Sequence, residues 1–229
     1  LAATLTDVLA RLERLDGTTQ VARLMPSEPS FVVEAAPSGM QVALTYLKLG
    51  VEHILTGIDH LLFVLALIII TRGGWKLVKT VTAFTVSHSI TLTAATLGFV
   101  HVPQRPVEAT IALSIVFVAA EIIHLHAGRE GVTARAPWVV AFSFGLLHGF
   151  GFAGGLSEVG LPAGHIPTAL LFFSAGVETG HLLFVAATLG LIALGRRAWG
   201  SVPRWVQLAP PYAIGSVAMF WVIERIAAF

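Results

Sequence analysis

Gly50-Val-Glu-His-Ile-Leu-Thr-Gly-Ile-Asp-His-Leu-Leu-Phe-Val-Leu-Ala-Leu-Ile-Ile-Ile70 is the stretch that decides the fold. It is long and apolar enough to cross a bilayer, because a membrane helix needs about 20 predominantly apolar residues. Yet it carries Glu52, His53, Asp59 and His60. An ionisable group near the centre of such a helix costs at least about 2.5–3.5 kcal/mol on the insertion scale. Asp59 and His60 therefore need partners, a bound ion or water. The stretch reads as half of a metal site inside a membrane helix bundle.

The rest of the chain agrees with a membrane setting. Of its 229 residues 55% are hydrophobic and 12% charged, with a mean hydropathy of +0.82. Soluble domains carry about 25% charged residues, so the composition is that of a polytopic membrane protein. The net charge is +1 and no basic tract points to nucleic acid. The absence of Cys excludes disulfides, thiolate metal sites and cysteine nucleophiles. Soft-metal chemistry is left to imidazole and carboxylate. The sequence starts at Leu1 with no basic region leading into an apolar stretch. The expectation is a removed signal peptide or a fragment of a longer chain.

The expected fold class is all-α: a bundle of about six transmembrane helices behind a short amphipathic and extended N-terminal segment. Residues 1–47 form the extracytoplasmic segment and residues 48–229 the transmembrane domain. Leu1, Leu5, Val8, Leu9, Leu12 and Leu15 recur at helical spacing, which predicts an amphipathic helix over residues 1 to about 24. From Pro26 to Pro37 the pattern reads as extended linker, either a solvated tail or the end of a further domain. The six spans are expected near 50–70, 77–99, 107–126, 137–156, 168–194 and 210–228. Arg72, Lys76, Lys79, Arg129, Arg135, Arg196, Arg197 and Arg204 follow the odd-numbered spans, against Lys48, Arg105 and Arg225 on the other side. That bias puts the odd-to-even loops in the cytoplasm and both termini outside.

Depth is the sharpest test. At about 1.5 Å per residue, Asp59 and His60 lie near the middle of span one and His88 near the middle of span two. His148 lies just past the middle of span four, and Glu178 and His181 bracket the middle of span five. Four helices thus bring imidazoles and carboxylates to one level. Glu178 and His181, at i and i+3, share a helix face. His53 shares a face with His60 but stands about 10.5 Å away along a regular helix, which predicts an outer station. Asp59 reads as an orienting partner for a neighbouring His unless the helix unwinds there. Spans one and five also echo each other, each placing a carboxylate just before His-Leu-Leu-Phe-Val, as two facing site-bearing helices would.

A His-rich set with two carboxylates suits a divalent transition metal, whereas an all-oxygen site would suit magnesium or calcium. The candidate ligands are His53, Asp59, His60, His88, His148, Glu178 and His181. Other readings stand beside this one. A lone His in a membrane helix often serves packing, and Ser87, Ser89, Thr91 and Thr93 can bond carbonyls or neighbouring helices. Gly145, Gly149, Gly151, Gly154 and Gly155 mean either close helix packing or a broken helix at the site. Glu121, His124 and His126 are either boundary residues or an inner exit station.

At these residues the sequence resembles the HupE/UreJ family of membrane proteins. The matching words are His53-x5-Asp59-His60, Phe84-Thr-Val-Ser-His-Ser-Ile-Thr-Leu92, Val107-Glu-Ala-Thr-Ile-Ala-Leu-Ser-Ile115, Leu147-His-Gly-Phe-Gly-Phe-Ala153 and Gly176-Val-Glu178. The resemblance implies a nickel or cobalt permease of the bacterial inner membrane, with a metal-motif role for His53, Asp59 and His60. Its expected partners are the metal ion as substrate, the lipid bilayer, and a second copy or partner subunit, with no nucleic acid.

Three functions compete. A secondary carrier for nickel, cobalt or zinc leads, since no Gly-x4-Gly-Lys-Ser/Thr loop for ATP is present. A membrane-embedded metalloenzyme is the alternative. Glu121-x-x-His124 and Glu178-x-x-His181 resemble di-iron words but sit at different depths, so a single-zinc hydrolase fits better. A metal-stabilised scaffold or partner subunit, with a closed and non-exchanging site, is the third.

Overall fold

The computed structural model describes residues 8–13, 19–24, 30, 38–152, 156, 161–162, 164–200 and 203–228. Among them are two strands and eight helices. In chain order these are β1 (Val8–Glu13), β2 (Thr19–Leu24), α1 (Gly39–Thr56), α2 (Ile58–Ile70), α3 (Gly74–Thr96) and α4 (Gln104–His126). They continue with α5 (Val132–Arg135), α6 (Pro137–Gly151), α7 (Ile166–Trp199) and α8 (Arg204–Ala227).

The N-terminal expectation needs correcting. Residues 8–13 and 19–24 are not helical but pair as antiparallel strands, from Val8 opposite Leu24 to Glu13 opposite Thr19. Val8 and Leu12 satisfy the helical spacing and, with Ala10 between them, a period of two as well, so periodicity alone did not discriminate. Asp16-Gly17 between the two runs is a hairpin signal that the helix reading passed over. Residues 1–7 and 14–18 of that expected helix, and most of the expected linker, lie outside the described residues.

Helix α1 starts well before residue 50, and its start has a local cause. The Ser38 hydroxyl accepts from the Gln41 backbone N–H, and the Gln41 side chain accepts from the Ser38 N–H at 2.9 Å. This reciprocal cap satisfies two otherwise orphaned donors. At the other end the helix stops at Gly57, and α2 sets off at 72° to it.

Three helices are each long and apolar enough to cross a membrane: α4, Ile166–Ala198 within α7, and Val206–Ala227 within α8. Helices α1 and α2 reach that standard together, as one bent pair. Six spans were expected, and α3 and α6 fall short of the standard for identifiable reasons. Helix α3 contains Lys76, Lys79 and eight Ser or Thr residues, and α6 has 15 residues. Much of the hydroxyl load of α3 is absorbed locally. Thr80 donates to the Lys76 carbonyl, Ser87 to that of Phe84, and Thr91 to those of Ser87 and His88. A hydroxyl that returns its proton to its own helix can be carried into an apolar bundle.

The closest pairings are α3 with α6, α1 with α7, and α4 with α8. The first two are made by glycines. A Cβ at Gly145 would overlap the Ser87 hydroxyl, one at Gly149 would overlap the Thr91 hydroxyl and the His88 carbonyl, and Gly50 and Gly176 meet each other's helix backbones. Gly145 and Gly149 are thus sites of close helix packing, and α6 ends at Gly151, within the expected span. Gly154 and Gly155 lie outside the described residues.

Helix α2 runs through the middle of the bundle, with Phe63, Val64, Ala66, Leu67, Ile68 and Ile70 all buried. A helix apolar all round belongs in such a central place. One apolar cluster gathers Phe63, Leu67, Phe84, Ile115, Ile122 and Ile214; another gathers Tyr46, Ile54, Leu92, Leu156, Phe173 and Val177. Exposed Leu171, Leu191, Phe220 and Ile223 coat the exterior, as a lipid-facing surface requires.

Candidate metal centre

The break at Gly57 builds the site. Its N–H caps α1 by donating to the His53 carbonyl at 3.0 Å, while its own carbonyl accepts from Leu61 at 3.1 Å to start α2. With ψ at 91° the chain leaves the helical path at this residue. A Cβ here would lie 2.8 Å from the His53 carbonyl and 2.9 Å from His60 Nδ1, so the corner has room for glycine alone. The turn folds His53 back onto His60, and their rings meet edge to face with centroids 4.8 Å apart. His53 is therefore not an outer station. The expected 10.5 Å assumed a straight helix, and this helix is bent.

Five imidazoles converge. The His60 ring centroid lies 5.6 Å from that of His88, 5.1 Å from His148 and 6.4 Å from His181, and His53 lies 5.8 Å from His88. His60, His88, His148 and His181 are buried. One ring nitrogen from each of His53, His60 and His88 falls within 4.8 Å of the other two. His53 Nε2, His60 Nε2, both nitrogens of His88, His148 Nδ1 and His181 Nε2 are buried with no hydrogen-bond partner. Leaving one buried polar group unsatisfied costs about 1–3 kcal/mol. A neutral imidazole keeps one lone pair, so the five rings could offer a metal ion one nitrogen each.

Two hydroxyls hold the flanking rings. Ser114 on α4 lies 2.6 Å from the Ile111 carbonyl and 3.1 Å from His148 Nε2; with its proton on the carbonyl it accepts from Nε2, the tautomer that leaves the Nδ1 lone pair free. Thr85 on α3 likewise engages His181 Nδ1 at 3.0 Å, leaving Nε2. Second contacts of this kind orient metal-binding imidazoles. One turn from Thr85, Thr82 donates to Glu178 Oε1 at 2.6 Å, while Glu178 Oε2 is buried without a partner. Asp59 goes elsewhere. Its carboxylate meets the Arg225 guanidinium at 2.9 Å, and Arg225 also donates to the Glu108 carbonyl at 2.7 Å.

Aromatic rings close both sides of the cluster. Phe152 packs on His53 at 3.9 Å between centroids and stacks with Phe173 at 5.7 Å. On the opposite side Phe63 and Phe84, 5.1 Å apart, press against His148, and Phe84 also meets His181. His60, His88, His148 and His181 are buried beneath these rings, while His53 is partly exposed.

Of the residues read from the sequence, His53, His60, His88, His148 and His181 come together, Glu178 stands one helical turn from His181, and Asp59 pairs with Arg225. Glu121 is apart from the rings: it accepts from the Thr133 backbone N–H at 3.0 Å and lies 4.0 Å from His124. The sequence reading missed Ser114, Thr85, Thr82 and Arg225 as partners. Ser114 and Thr85 stood within the quoted words of spans three and two. A polar side chain at the depth of a buried His was the signal available.

A helical bundle with apolar faces outward is a membrane protein, and the five imidazoles within it could hold a transition-metal ion. The chain belongs to the HupE/UreJ family: the family described as HupE / UreJ protein matches residues 28–225. No curated protein and no solved structure matches the chain.

Proposed function

We propose that this protein is a membrane carrier for a divalent transition-metal ion, nickel or cobalt, which crosses through the His cluster. The nickel or cobalt assignment leans on the family. The observation that carries a metal substrate is the convergence of unpartnered imidazole nitrogens from three helix segments on one enclosed point. Nitrogens bound to one ion at about 2.0–2.1 Å are at most about 4.2 Å apart. The 4.8 Å spread of His53, His60 and His88 needs only a small closure. His148, His181 and Glu178 supply further ligands or a next station, and α3 and α6 complete six crossings with both termini outside.

The imidazole ligands are neutral and the site is thiolate-free, which favours exchange over permanent retention. The aromatic pairs on either side suit an occluded intermediate, in which Phe152 moves for access from one face and Phe63 and Phe84 for access from the other. A ligand protonated before the metal arrives, such as the Glu178 carboxyl, would release its proton on binding and so couple the ion to a proton gradient.

The test is metal uptake into vesicles holding the purified protein, beside metal titration in detergent. Nickel or cobalt should enter the lumen, and His60→Ala and Glu178→Ala should each abolish most uptake, while His165→Ala should not. Metal that binds but never crosses would leave the scaffold reading. Turnover of a lipid or peptide with metal retained would establish the enzyme instead.

A further inference from the structure

Helices α2 and α4 end, and α3 and α6 begin, at the end of the bundle that the Lys and Arg bias assigns to the cytoplasm. Between these four ends lies a cavity of about 330 Å³. Arg72, Lys76, Lys79 and Arg135 line it against a single carboxylate, Glu130. Among the described residues none of these four cations is held in an ion pair. Lys79 Nζ lies 5.3 Å above the ring of Trp138, which closes one wall. Neither α3 nor α6 has a side-chain cap at its N-terminus, so both positive helix ends add to the same field.

A second space adjoins it. An open groove of about 1830 Å³ runs between α2, α4, α7 and α8, lined by Ile68, Ile69, Leu189, Ile192 and Val206 among others. Thr71 and Arg72 border both spaces, and the Thr71 hydroxyl is buried without a hydrogen-bond partner. A basic, Trp-walled cup opening onto an apolar trough is amphiphilic in the order that a phospholipid is.

We propose that the cavity binds the phosphodiester headgroup of an anionic phospholipid, with its acyl chains in the adjoining groove. Cations that serve only to orient a chain have no need to share one concavity; these four exposed cations line one concavity with a single carboxylate, and an anion bound there would lower their mutual repulsion. Basic pockets between helices on the cytoplasmic side recognise anionic headgroups in this way, and a Trp ring favours the same layer. The site is independent of the His cluster.

Native mass spectrometry of the detergent-purified full chain, titrated with phosphatidylglycerol or phosphatidylcholine, tests it. The wild type should prefer phosphatidylglycerol by about tenfold or more, and the preference should shrink with added salt. Each cation removed should lower affinity about fivefold, so Lys76→Gln with Lys79→Gln should lose about twentyfold or more. Arg129→Gln with Arg197→Gln, at the same end but outside the cavity, should change it less than about twofold on the same scale. Should the Lys pair fail to fold, Arg135→Gln alone carries the comparison. Equal retention of both lipids, or equal loss in both variant pairs, would overturn the proposal. So would binding of inorganic phosphate without lipid preference, which would assign the cup to a free anion.

Discussion

His53 and His60 stand seven residues apart, yet their rings meet edge to face at 4.8 Å, because the chain turns by 72° at Gly57 between them. The corner brings two nitrogens of one bent helix pair to the same point as His88 from α3. It follows that Gly57→Ala should cost metal affinity before it costs the fold. The added methyl meets the His53 carbonyl and the His60 ring, and a displaced ligand lowers affinity about 10–100-fold. Isothermal titration with nickel, beside circular dichroism, measures both. An affinity equal to wild type would show that the corner does not set the site.

Occupancy should fall with acid. Only neutral imidazole coordinates, so protons and metal compete for the same lone pairs. The sign is fixed: lower pH means more protonated ligand and weaker binding. Titrations with nickel, cobalt and zinc from neutral pH into the acid range should show the loss. Magnesium should bind poorly throughout. Magnesium as tight as nickel, or binding indifferent to pH, would contradict an imidazole site.

Ser114→Ala and Thr85→Val remove the hydroxyls that hold His148 and His181. Each should weaken metal binding about 10–100-fold through loss of ring orientation. Ser114→Thr, which keeps the hydroxyl, should recover most of it. Failure of that recovery would mean that packing, not the hydrogen bond, explains Ser114.

Asp59 and Arg225 tie α2 to α8 at 2.9 Å, both partly buried. Asp59→Asn should lower the melting temperature more than it lowers metal affinity, because the carboxylate is engaged with a guanidinium. A double-mutant cycle with Arg225→Gln should give a coupling of about 1–2 kcal/mol, between the values for exposed and buried pairs. A Asp59→Asn variant that keeps its stability but loses metal would put the carboxylate among the ligands instead.

The orientation can be read with single cysteines, since the chain has none of its own. His101→Cys and Arg129→Cys, at opposite ends of α4 and both exposed, should label from opposite faces of the membrane. Labelling of both from one face would remove the assigned crossing.

Much of this site was legible in the sequence. A polar group in a lipid-spanning helix is costly, and position along a helix is a length that counting residues measures. His60, His88, His148 and His181 therefore declared both their importance and their common depth, and the composition alone required a membrane bundle. The sequence could not supply direction around the axis or continuity of the helix. Asp59 read as an orienting partner for a neighbouring His until α8 brought Arg225 to it, and His53 looked two turns too far until the chain bent at Gly57. Those outcomes depend on which surface each helix meets. The N-terminal strands show the same limit, because an apolar pattern that fits two periods takes the one for which a partner strand exists. Depth is a property of one segment and was read from it; azimuth, breaks and pairing belong to two segments at once, and only tertiary packing decided them.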